Sequence, residues 1–166
     1  AKRSWCKLHI AVDNKHIIHG AELTDRFTSD DQVVENLINQ IDNEVAQLTA
    51  DGAYDKNPVY EKITEKFRNA AIIIPPDSDT VYNTNSHRQR NQNLQGIKVF
   101  GRKQWQKVQR HGNRNISELA VQRYKKIIIN KLHTRKLERQ KNEAMLGCSM
   151  LNKMTRLGIP ASFRCA

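Results

Sequence analysis

Apolar positions open the chain at strand-like spacing. In WCKLHIAV (5–12), Trp5, Leu8, Ile10 and Val12 alternate imperfectly with their neighbours, and β-branched residues gather near the end. This pattern predicts a strand. Asp13-Asn14 marks a turn and KHIIHGAELT (15–24) a second strand, so the two should form an antiparallel hairpin. The period then changes. In DDQVVENLINQID (30–42), Val33, Val34, Leu37, Ile38 and Ile41 recur at helical spacing. Ser29 or Asp30 can cap this helix, and acids at its start suit the helix dipole. VAQLTA (45–50) predicts a short strand that ends at Asp51-Gly52. PVYEKITEKFR (58–68) predicts an amphipathic helix with Pro58 in its first turn. AAIII (70–74) is wholly apolar, as suits a strand covered on both faces, and Pro75-Pro76 stops it.

Residues 77–93 are polar and predict a surface loop. Residues 90–110 read as helical in part, with a break near Gly96 or Gly101. A helix is predicted over about 115–130 and a last one over about 135–157, ended by Gly158 and Pro160. The order is strand, strand, helix, strand, helix, strand, then helices. It predicts an α/β domain with a mixed sheet and helices on both faces.

Composition sets the bounds. A chain of 166 residues suffices for one domain with a core, so residues 1–166 are read as a single unit. With 38% hydrophobic residues, a mean hydropathy of −0.73 and no run of spanning length, the chain reads as soluble, with no membrane partner. The start, AKRSWCKLHI, carries neither a signal peptide nor an initiator Met. Cys6, Cys148 and Cys165 lack the spacing of a zinc site or a disulfide framework, which favours a reducing cytoplasm.

Charge changes the picture further. The net charge is +11, yet residues 1–86 carry 9 Lys/Arg against 14 Asp/Glu, and residues 87–166 carry 19 against 3. A basic half of this kind is the electrostatic footprint of a phosphate-backbone binder. Glu118 is one of the three acids in that half. In HGNRNISELAVQRYKK (111–126), His111, Arg114, Glu118 and Lys125 fall on one helical stripe, with Ile116, Leu119, Ala120, Tyr124 and Ile127 roughly opposite. A lone carboxylate among cations suits a metal-bound acid beside a polyanion. A near capping box at Asn115 and a solvated basic face are the bland alternative.

The pattern His-x2-Arg-x3-Glu-x6-Lys resembles the Tyr-x2-Arg-x3-Glu-x6-Lys signature of bacterial insertion-sequence transposases with a DDE catalytic domain. His111 stands where the family has Tyr. WCKLHIAV, AELTD (21–25), ADGAYD (50–55), IIPP (73–76), GRKQW (101–105) and LNKMTRLGIP (151–160) fit the same family in the same order. The resemblance implies a ribonuclease H-like fold and a DNA transposition enzyme that cleaves and transfers strands at insertion-sequence ends. It implies Mg²⁺ or Mn²⁺ as cofactor and double-stranded DNA as partner, both terminal inverted repeats and target. It further implies a homodimer within a synaptic complex and a bacterial, nucleoid-associated location.

By resemblance, Asp51 and Glu118 are the catalytic metal ligands, 67 positions apart. Two-metal chemistry needs such carboxylates to converge from rigid elements. Arg114 and Lys125 would hold DNA phosphates, with His111 beside them. Arg102, Lys103 and Lys107 could track a DNA backbone or form a solvated face. Trp105 could stack on a base, but packing is the favoured role. Asp55 matches a family position and is read as structural. The family's first Asp, at the end of its first strand, has no counterpart here. Asp13 is a substitute by position only, since the match puts it in the hairpin turn. The resemblance thus implies that the first strand lies upstream of Ala1, that the chain is the carboxyl-terminal part of a truncated or split reading frame, and that two strand edges are exposed. Alone, it should be inactive. The alternative is a non-catalytic DNA-binding remnant.

Overall fold

The computed structural model describes residues 5–128 and 131–158. Among the described residues, four strands form in chain order: β1 (Cys6–Val12), β2 (Ile18–Asp25), β3 (Gln47–Thr49) and β4 (Ala71–Ile73). Six α-helices accompany them: α1 (Val34–Asn39), α2 (Asn57–Lys66), α3 (Arg88–Phe100), α4 (Arg102–Val108), α5 (Asn115–Arg123) and α6 (Leu137–Leu157). The predicted hairpin is present. β1 and β2 pair antiparallel, and Asp13 closes the turn by accepting from the Lys15 and Ile17 amides, each at 2.9 Å. β3 and β4 pair in parallel.

The mixed α/β class stands, but the strands do not form the single mixed sheet expected. Among the described residues they form two separate two-stranded sheets. Alternation along β1 shows helices on both faces of the hairpin. Leu8, Ile10 and Val12 join the cluster built on Tyr124, Cys148 and Leu151, while Ala11 packs on the opposite cluster of Val34, Ile38, Tyr60 and Ile63. That second cluster is the larger core, and it holds the β3–β4 pair through Leu48 and Ile72.

Several predicted boundaries move. The 30–42 helix is a 3-10 turn (Asp30–Val33) followed by α1, and its start is a Ser29/Gln32 capping box. The expected 77–93 loop ends early, because α3 begins at Arg88. Its first turns lack apolar periodicity because they dock through amides. Gln89 accepts from the Ile72 amide at 2.7 Å and donates to the Ala70 carbonyl at 3.1 Å, and Asn93 donates to the Ile72 carbonyl at 2.9 Å. The helix break falls at Gly101, whose φ of +77° disfavours a side chain. Gly96 stays helical, and a Cβ there would come within 2.7 Å of the Trp105 ring, so the close seat of Trp105 depends on it. Positions 129–130 of the 115–130 helix, together with Pro160 and Cys165, lie outside the described residues. Cys6 and Cys148 are free thiols.

Candidate active site

Asp51 follows β3 and caps a short 3-10 turn (Gly52–Tyr54), with Oδ1 accepting from the Ala53 amide at 3.0 Å. The simple Asp-Gly turn is therefore real, and it leaves Oδ2 free to face another element. That element is the 3-10 turn His111–Arg114, which leads straight into α5. Arg114 bridges the two carboxylates singled out by sequence: its guanidinium lies 3.5 Å from Asp51 Oδ2 and 2.7 Å from Glu118 Oε1. The side chains of Asp51 and Glu118 are 44% and 53% exposed, so the cluster is open to solvent. At that exposure each pair adds only about 0.2–1 kcal/mol, and the geometry has to be held by the backbone.

His111 does the holding. Its Nε2 donates to the Ala50 carbonyl at 3.1 Å, and its ring tilts against Trp105 at 6.1 Å between centroids. Both residues are buried. This corrects the helical-stripe placement of His111 on the polar face. A 3-10 turn has about three residues per turn, so α-helical spacing does not carry back from Glu118 to His111. Trp105 is packing, not an open stacking platform. On the apolar side of α5, Ala120 and Tyr124 are buried, whereas Leu119 and Ile127 are about half exposed at 47% and 49%. Residues Tyr124–Ile128 form a π-helical turn, which rotates the face after Arg123. Burial pushes the Tyr124 hydroxyl up to about 12, with Cys148 and Glu143 adding to it.

Asp51, Arg114, Glu118 and Lys125 line one groove. Arg102, Lys103 and Lys107 sit on α4, all exposed, and Arg102 donates to the Pro76 carbonyl. Asp13 is engaged by its own turn and by His19 Nε2 at 3.0 Å. Asp55 is structural: Arg90 holds it with two bonds, at 2.9 and 2.7 Å, and the Tyr60 hydroxyl donates to it at 3.2 Å. Burial, followed by Asp55, raises the Tyr60 hydroxyl well above its ordinary value.

Sequence reasoning gave Arg114 to DNA and missed its hold on both acids. The i, i+4 spacing of Arg114 and Glu118 was the available signal. The Asp51 contact, from 63 residues away, had none. Two carboxylates offer the hard oxygen donors that one Mg²⁺ takes, with water and phosphate filling its other positions. Among the described residues, no group of three or more His, Cys, Asp or Glu is placed to hold a metal.

The structure is thus a mixed α/β domain that gathers two acids and an arginine along one groove. The comparison with known families is specific: the transposase DDE domain matches residues 1–153, and the chain belongs to that family. The family gives it a role related to transposition, DNA as partner and, in general, nuclease or transferase chemistry with divalent metal. No solved structure matches the chain. Among the described residues, no helix is long and apolar enough to cross a membrane.

Proposed function

We propose that the chain is the catalytic part of a bacterial insertion-sequence transposase that cleaves and transfers DNA strands at element ends. Asp51 and Glu118 are the metal ligands, for Mg²⁺ or Mn²⁺. The observation that carries this reading is the convergence of these two acids on Arg114. A divalent ion there would stabilise the charge developing on phosphodiester oxygens. Arg114 offers a planar fork to a phosphate and Lys125 a point charge. Arg102, Lys103 and Lys107 extend the basic track along α4, and His111 sets the turn that carries Arg114. A homodimer in a synaptic complex supplies the second DNA end.

Supercoiled plasmid with Mg²⁺ or Mn²⁺ tests this reading. As a partial copy, this chain alone is expected to bind duplex with little nicking; metal-dependent nicking that Asp51→Asn and Glu118→Gln both abolish, with duplex binding retained, would instead show a complete enzyme. The second reading, a DNA-binding remnant, is favoured by the count of two acids already bridged by an arginine. Binding that weakens steeply with salt, without nicking by the parent chain, supports it.

A further inference from the structure

The corner between α3 and α4 is exposed without a break over residues 98–104, KVFGRKQ. Gly101 serves both helices. Its amide donates to the Ile97 carbonyl at 2.9 Å, and its carbonyl accepts from the Trp105 amide at 3.0 Å. One residue in the left-handed region, at φ +77°, thus makes the whole corner. Behind it the two helices interlock where Gly96 meets the Trp105 ring. The support is firm, and its tip is apolar: Val99 is 74% and Phe100 64% exposed.

An exposed apolar side chain is commonplace by itself. Charge singles this one out. Residues 80–117 hold eight Lys or Arg and no Asp or Glu, and Lys98, Arg102 and Lys103 flank the tip. Phe27 offers the contrast. It is exposed too, but it lies in DRFTSDD (25–31), with three acids to one cation, and the Arg26 guanidinium covers its ring at 4.5 Å. A partner for an open ring among cations has to be anionic outside and apolar within. A DNA duplex is both, with phosphates around stacked bases.

The anchoring of the corner favours DNA over an anionic membrane surface. Arg102 donates to the Pro76 carbonyl, and the neighbouring Pro75 carbonyl passes 3.2 Å from where a Cβ on Gly52 would stand, next to Asp51. On its other side, Trp105 packs on His111, which donates to the Ala50 carbonyl. Two contact paths therefore tie the corner to the residues on either side of Asp51.

We infer that this corner is a DNA wedge: Phe100, backed by Val99, enters a duplex between two base pairs, while Lys98, Arg102 and Lys103 hold the flanking phosphates. Insertion of this kind unstacks one step and bends the duplex. The bend would fall beside Asp51. The inference rests on DNA as the partner, and it holds whether or not Asp51 and Glu118 bind metal.

The probes are two labelled duplexes of one sequence, one fully paired and one with a single mismatch, titrated with the full chain in the absence of metal. A mismatch lowers the cost of unstacking, so the parent chain should prefer that duplex about tenfold or more. Phe100→Ser should lose the preference and keep the salt dependence, whereas Phe100→Trp should keep both. Phe27→Ser should leave both affinities unchanged. Lys103→Gln should weaken both duplexes alike and lower the salt slope by about one. Equal affinity of the parent chain for the two duplexes would overturn the wedge and leave DNA binding standing, while binding to neither would overturn both. A mismatch preference that survives Phe100→Ser, or Phe100-dependent binding to phosphatidylserine vesicles that exceeds binding to duplex, would overturn it as well.

Discussion

Asp51 and Asp55 bracket the same 3-10 turn, and each meets an arginine, yet their surroundings differ throughout. The Asp55 carboxylate is 3% exposed and locked by Arg90 from α3 and by Tyr60 from α2. The Asp51 carboxylate is 44% exposed and shares its arginine with Glu118. Identical chemical parts thus make a strut at one end of the turn and an open cluster at the other. Burial decides which. A sealed pair cannot exchange partners without losing the fold, whereas an open one can turn toward a ligand at little cost.

Substitutions at each end should separate these roles. Asp55→Ala strands the Arg90 charge in the interior and should cost about 3–5 kcal/mol in urea unfolding. A loss below about 1 kcal/mol would show that the strut is not one. His111→Phe keeps the packing on Trp105 but leaves the Ala50 carbonyl unpaired, for an expected loss of about 1–3 kcal/mol. It should also lower duplex affinity through the displaced Arg114, which a gel-shift titration reads. Glu118→Gln should shift stability by only about 0.2–1 kcal/mol, as suits an exposed pair, while abolishing any metal-dependent nicking. The smallest effect is a pH dependence beside the core. Burial holds His9 below its usual value, aided by Lys7 and opposed by Asp30 and Glu22. The folded form therefore favours neutral His9. Its contribution is full above the ordinary histidine value of about 6.5 and is lost as pH falls through the lower folded one. Melts at pH 7.5 and 5.5 should differ less in His9→Gln than in the parent.

The hairpin, α1, α2 and the apolar β4 were legible because each carries its period in apolar residues. α3 was legible only in part: its body and the break at Gly101 were expected within 90–110, but its start at Arg88 was not, since Gln89, Asn91 and Asn93 dock with amides, and polar side chains in a polar stretch look like a loop. Asp51 was legible only through the family resemblance, an Asp-Gly turn being commonplace by itself. The stripe through Arg114 and Glu118 held where the helix is regular. It failed at His111, where a 3-10 turn precedes α5, and the π-helical turn after Arg123 leaves no apolar or polar signature that a period would catch. The division into two sheets could not be read from spacing at all, because strand order is set by which edges meet.

Arg114 also makes the two acids one electrostatic unit. Its guanidinium touches Asp51 at 3.5 Å and Glu118 at 2.7 Å, so elements 63 residues apart in sequence share a single counter-charge. Removing that one side chain would leave two carboxylates with their common cation gone, and removing either acid would leave the arginine with one partner instead of two.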